Sequence, residues 1–189
     1  AVTVSGTTEP SFVETRNTYG SPRATIVRPS GKRPRQVAVL APAEDLPFAR
    51  FEALAIAGDA AMLGTQATEA ALRGVRADAL AIAAHGRLDP REPLASAIDL
   101  ATGGEHDGRL EVHEVFALAS LPPLVTLSAC DSAAGELHGN EWLGLGGAFL
   151  SAGARTVVAT ANRVSDLAAA VVMKRFYRNI RLQPAGEAL

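Results

Sequence analysis

Cysteine is almost absent from this sequence, with one residue, Cys130, in a chain of 189. A lone cysteine has no partner for an internal disulfide, and free thiols stay reduced in the cytosol, so a cytoplasmic protein is expected. An excess of charge is absent too. The 18 Lys and Arg against 20 Asp and Glu leave a formal net charge of -2. No surplus of cations is available to neutralise a phosphate backbone, which argues against nucleic acid as a direct partner. Long apolar stretches are missing as well. Runs such as ADALAIAA and RTVVATA fall far short of the roughly 20 residues that cross a bilayer. No basic, apolar leader of the secretory kind is recognisable at the start, so neither a membrane nor export is expected. Internal repeats and low-complexity tracts are also lacking.

What remains suits one α/β domain with a single core, since 48% of the residues are hydrophobic. Residues 1–35 are rich in Thr, Ser, Pro, Gly and Arg and read as an extension, an edge hairpin or a linker. From residue 36 the pattern is regular to 189. QVAVLAP, DALAIAA, PPLVTLSA and RTVVATA are short and apolar throughout, as strands buried on both faces are. Between them lie helical patterns: FARFEALAIAGDAAML, ATEAALRGV opened by Thr68 and Glu69, EWLGLGGAFLSAGA, and SDLAAAVVMKRFYRNI opened by Ser165 and Asp166. SAIDLA and GRLEVHEVFAL read as a short strand, a turn and a short helix. Apolar strands alternating with helices predict a mostly parallel sheet covered on both faces.

In such sheets the chemistry gathers at the carboxyl ends of the strands. His85 ends DALAIAA and Cys130 ends PPLVTLSA. Taken alone, a free cysteine packs as a small hydrophobe, and a histidine before a glycine serves as a cap or loop residue. Taken together, a histidine at the end of an adjacent strand can favour a thiolate and protonate a departing amine. Small neighbours, Ala84 and Gly86 on one side and Ala129 and Ser132 on the other, let backbone approach a substrate. The amides of Gly86 and Cys130 are candidates for an oxyanion hole.

The ordered blocks AAHGRLD, SAIDLA, GRLEVHEVFAL, LVTLSACDSAAGE, GLGGAFLSAGARTVVATANRVSD and VMKRFYRNI resemble those of the CHAT family. These are caspase-like, separase-related cysteine peptidases of clan CD. The spacing of His85 and Cys130 is compatible with the roughly 50 residues that separate the pair in caspases. The resemblance covers roughly residues 36 to 189. It implies a caspase-like three-layer fold and a cysteine endopeptidase with His85 and Cys130 as the dyad. It also implies Gly86 and Cys130 as oxyanion donors, and no metal or organic cofactor. A protein substrate and a regulatory domain or subunit, such as a repeat domain, are the partners implied.

Asp166 matches the position at which separase-like sequences carry an aspartate for a basic P1 side chain. As a first-turn helix residue it also has a structural reading. Asp131 either orients substrate or stabilises its own loop. Many family members have tryptophan where Asn162 stands, a departure at the pocket. His106, His113 and His138 lack zinc-ligand spacing. GLGGAF sits inside a helical pattern, where its glycines permit close packing rather than form a dinucleotide loop. Trp142 reads as core or groove lining. Two other readings compete: a catalytically silent caspase-like interaction or scaffold module, and a nucleotide-binding α/β domain, which lacks a phosphate loop. The closing PAGEAL resembles the start of one more family helix, so a fragment of a longer protein is expected.

Overall fold

The strand expected at DALAIAA shows how this sequence makes layers. Its residues alternate Ala79, Ala81 and Ala83 on one side with Leu80 and Ile82 on the other, and all five are fully buried. A strand with no polar face must be covered twice, and here the two sides differ in bulk. The computed structural model describes residues 12–14, 24–27, 33–129, 136–138, 141–160, 164–183 and 185–188.

In chain order the first elements are β1 (Phe12–Glu14), β2 (Ala24–Val27), β3 (Val37–Ala41), α1 (Pro47–Ala57), β4 (Met62–Leu63), α2 (Glu69–Arg73) and β5 (Ala79–Ala83). Next come β6 (Gly86–Arg87), β7 (Ala97–Asp99), β8 (Arg109–Glu111), α3 (Val112–Phe116) and β9 (Leu124–Ser128). The last are β10 (Glu136–His138), β11 (Glu141–Leu143), α4 (Leu145–Ser151), β12 (Thr156–Thr160), α5 (Asp166–Asn179) and α6 (Ala185–Ala188).

Seven strands form the main sheet in the order β1-β2-β12-β9-β5-β3-β4. The five from β12 to β4 are parallel, and β1 and β2 add an antiparallel hairpin at one edge, β2 pairing with β12. β6, β7 and β8 make a small antiparallel sheet, and β10 pairs with β11. On one face, Leu80, Ile82, Val125 and Leu127 pack with Val112 and Val115 of α3 and Phe149 of α4. On the other, the alanines of β5 and Val158 meet Ala49 and Ala53 of α1 and Met173 and Phe176 of α5. Burying a side chain such as Phe176 contributes about 1.5–3 kcal/mol. The result is the α/β, three-layer architecture expected, with a mostly parallel sheet between helices. No helix among the described residues is long and apolar enough to cross a membrane.

Two helices are shorter than their patterns suggest. The helix expected through Leu63 stops at Ala57, because Gly58 adopts φ 58° and turns the chain out of the helix. Met62 and Leu63 are then free to pair with Leu40 and Ala41 as a short parallel edge strand. The helix expected from Glu141 starts at Leu145, because Glu141–Leu143 pairs with Glu136–His138. Trp142 therefore lies in β11 and His138 in β10, not in the expected helix and loop.

Candidate active site

The carboxyl ends of β3, β5, β9 and β12 lie side by side in the sheet, and each leads into one of the residues of interest. β5 and β9 run in parallel register to the pair Ala83 and Ser128, and the Ala84 amide donates to the Ser128 carbonyl at 3.2 Å. His85 follows Ala84 directly. Its carbonyl accepts from the Asp99 amide at 2.9 Å, which anchors the backbone where β5 turns into β6.

The His85 ring is half-exposed, and its Nε2 lies 3.0 Å from both carboxylate oxygens of Asp45. Asp45 stands on the loop between β3 and α1. The His85 hydrogen bond holds the Asp45 carboxyl below the usual carboxylate range, so this group is a carboxylate at neutral pH. With Nε2 engaged, Nδ1 is the ring nitrogen left for another partner. Asp45 was not singled out from the sequence. The signal that finds it is the strand-end rule applied to β3, whose loop PAEDLP carries it.

Gly86 pairs with Ile98 across β6 and β7. The bond from the Asp99 amide to the His85 carbonyl makes this a non-hydrogen-bonded pair of the ladder, so the Gly86 N–H turns away from β7. That amide is not consumed by the small sheet, as an oxyanion donor requires.

At the end of β9, the Ser128 hydroxyl donates to Oε2 of Glu52 at 2.9 Å, and the Thr160 hydroxyl donates to the Ala129 carbonyl. β12 is thus tied to the residue before Cys130. Cys130, Asp131 and Asn162 lie outside the described residues. Glu52 comes from the inner face of α1 and is 1% exposed. Burial pushes its carboxyl up to about 8 against the relief given by Ser128, and the nearby Asp166 charge adds to the rise. This buried acid is a second group that was not singled out from the sequence.

Asp166 stands in the first turn of α5, which Ser165 caps by accepting from the Ala168 amide at 3.3 Å. Its Oδ2 accepts from the Phe48 amide at 2.8 Å, satisfying a free N–H at the start of α1. The side chain therefore caps a helix 118 residues away in sequence. Asp166→Ala is expected to lower stability by about 1 kcal/mol, the usual worth of a helix N-terminal cap. Equilibrium urea denaturation measures this, and an unchanged midpoint would show that water replaces the cap without loss.

Two of the other histidines pair with glutamates away from these strand ends. His106 Nδ1 lies 3.2 Å from Oε2 of the buried Glu69, and His113 Nδ1 lies 3.1 Å from Oε2 of Glu111. Neither belongs to the row of strand ends.

A three-layer α/β domain with a histidine and a cysteine following adjacent parallel strands is the arrangement of caspase-like proteins. The family model for the CHAT domain matches residues 7–189, and the chain belongs to that family of relatives of the clan CD cysteine peptidases. The match reaches back beyond residue 36 to include the edge hairpin. No curated protein matches the sequence.

Proposed function

We propose that the chain is a cysteine endopeptidase acting on a protein partner in the cytoplasm, under the control of a regulatory domain or subunit. The observation that carries this reading is the His85 ring held by Asp45, beside the strand end that leads into the sole cysteine. Cys130 Sγ attacks the scissile carbonyl, and the tetrahedral oxyanion is met by the amides of Gly86 and Cys130. The C–N bond then breaks, and the leaving nitrogen takes its proton from His85. A thioester remains. Water, activated by neutral His85, cleaves it to a carboxylic acid and the free thiol. Asp45 is a positioning residue: it fixes the ring and stabilises positive charge on it, which in turn favours the thiolate. Asp131 contributes to the substrate-facing loop, and Asp166 supplies acidity to the P1 pocket.

A positional-scanning peptide library tests the reading, with kcat/KM followed against pH. Preference for Arg or Lys at P1, lost in Asp166→Ala, supports the acidic pocket, and an apolar preference sinks that part. Asp45→Asn is expected to lower kcat/KM about tenfold and narrow its pH profile, since general acid-base catalysis depends on the orientation of the imidazole. An unchanged profile removes Asp45 from the mechanism. If a peptide electrophile fails to label Cys130 in the presence of a partner that binds the chain, the silent scaffold reading stands instead.

A further inference from the structure

α1 and α5 lie next to each other on one face of the sheet, and their outward sides do not meet. Between them runs a cleft of about 720 Å³. Phe48 and Phe51 line it from α1, and Leu167 and Val171 from α5. These four are 39%, 48%, 51% and 57% exposed. Single exposed apolar residues are ordinary, but four large ones sharing one concave surface mark a place that something covers.

The charged side chains that line the cleft are cations, and the Asp166 carboxylate stands just beyond its Phe48 end. Lys174, Arg175, Arg178 and Arg181 line it, and among the described residues no Asp or Glu does. None of the four has an ion pair among the described residues. Lys174 lies over the Phe51 ring, its Nζ 4.9 Å from the ring centre, so one cation sits on the apolar floor itself. In a chain whose formal net charge is only -2, this is a local concentration of positive charge, not a general one.

We infer that this cleft docks an amphipathic helix of a partner protein, with an apolar stripe along one side and carboxylates beside it. The shape suits a helix, since α1 and α5, with 11 and 14 residues, form two walls about 16 and 21 Å long at 1.5 Å per residue. Charge complementarity selects an acidic segment. A second copy of the chain is disfavoured, because a two-fold contact would set the same cations against one another. A flat anionic lipid surface cannot reach a concave floor. One end of the cleft is Phe48, whose amide is held by Asp166 and which lies three positions after Asp45. An occupant therefore presses on the helix start next to the His85 partner. That link to activity rests on the peptidase reading, whereas docking does not.

Binding is measured by fluorescence anisotropy on the full chain carrying Cys130→Ala, so that no probe is cleaved. The probes are two labelled helical peptides with one leucine stripe, flanked by glutamates in one and by lysines in the other. The acidic peptide is expected to bind at least about tenfold more tightly, and Val171→Glu to weaken it by a similar factor. Paired Lys174→Glu and Arg178→Glu should reverse the preference. These side chains point outward, so melting temperatures should match the parent; Leu167→Glu replaces Val171→Glu if that variant is unstable. Equal affinity for both peptides, or indifference to both glutamate variants, overturns the inference. Two further outcomes overturn it in favour of another occupant: a dimer in sedimentation velocity that Val171→Glu dissociates, or anionic phosphatidylserine vesicles bound in preference to the acidic peptide. Docking with no effect on cleavage would sever only the link to the active site.

Discussion

Cys130→Ala is expected to abolish cleavage while leaving the melting temperature of the domain within a few degrees of wild type. Covalent catalysis splits amide hydrolysis into two easier steps, and without the thiol neither step exists. What survives is binding and whatever the oxyanion donors do for attack by water, so kcat/KM should fall by roughly 10⁴-fold or more. His85→Ala should lose a comparable amount, and the double variant little beyond either, because the two residues act as one unit. The measurement is kcat/KM on the best substrate from the peptide scan, with thermal melts run in parallel. Cleavage by Cys130→Ala at close to the wild-type rate would end the peptidase assignment for this site.

The second large effect concerns stability. Glu52 titrates at about 8 in the folded protein, against an ordinary value of 4.5. Below the ordinary value both states carry the proton and the group costs nothing. As pH rises from there, the unfolded chain releases the proton while the folded one keeps it, so stability falls until pH passes the folded value. Between pH 5 and pH 8 the loss from this one group is about 4 kcal/mol at 1.36 kcal/mol per unit, an order-of-magnitude figure. For a chain of this size it corresponds to about 10 °C in melting temperature. Glu52→Gln keeps an acceptor for the Ser128 hydroxyl and has no proton to lose. Its melting temperature should vary less across that range and exceed wild type at the alkaline end. Parallel curves for the two proteins would show that Glu52 is ionised when folded.

Part of this architecture is plain in the sequence, and the reason is local. β5, β9 and β12 are apolar on both sides, so they read as interior strands without reference to anything else, and their ends give the positions of His85, Gly86 and Cys130. Ser165 caps α5 from the adjacent position, and Thr68 does the same for α2. The groups that could not be read depend on distant partners. Asp45 meets His85 across 40 residues and Ser128 meets Glu52 across 76. In its own helix Glu52 looks like any polar residue of an amphipathic pattern, and only the strand order shows that its side faces the sheet. Gly58 misled for a different reason. A glycine inside a helical pattern is tolerated as often as it terminates one, and the pairing of Met62 and Leu63 with β3 decides between these outcomes.

The place of β9 in the sheet also sets an order of events during synthesis. Its neighbours are β5, already made, and β12, which emerges only after β10, β11 and α4. Until then the strand leading into Cys130 has one open edge, the Thr160 hydroxyl that holds the Ala129 carbonyl does not exist, and α1 lacks the Asp166 cap. A ribosome-bound chain that has just exposed its thiol therefore cannot yet present a finished site. The sheet closes around β9 only once β12 has been made. A chain stalled before Thr156 instead offers an unpaired central edge to other strands, so interrupted synthesis should yield aggregation.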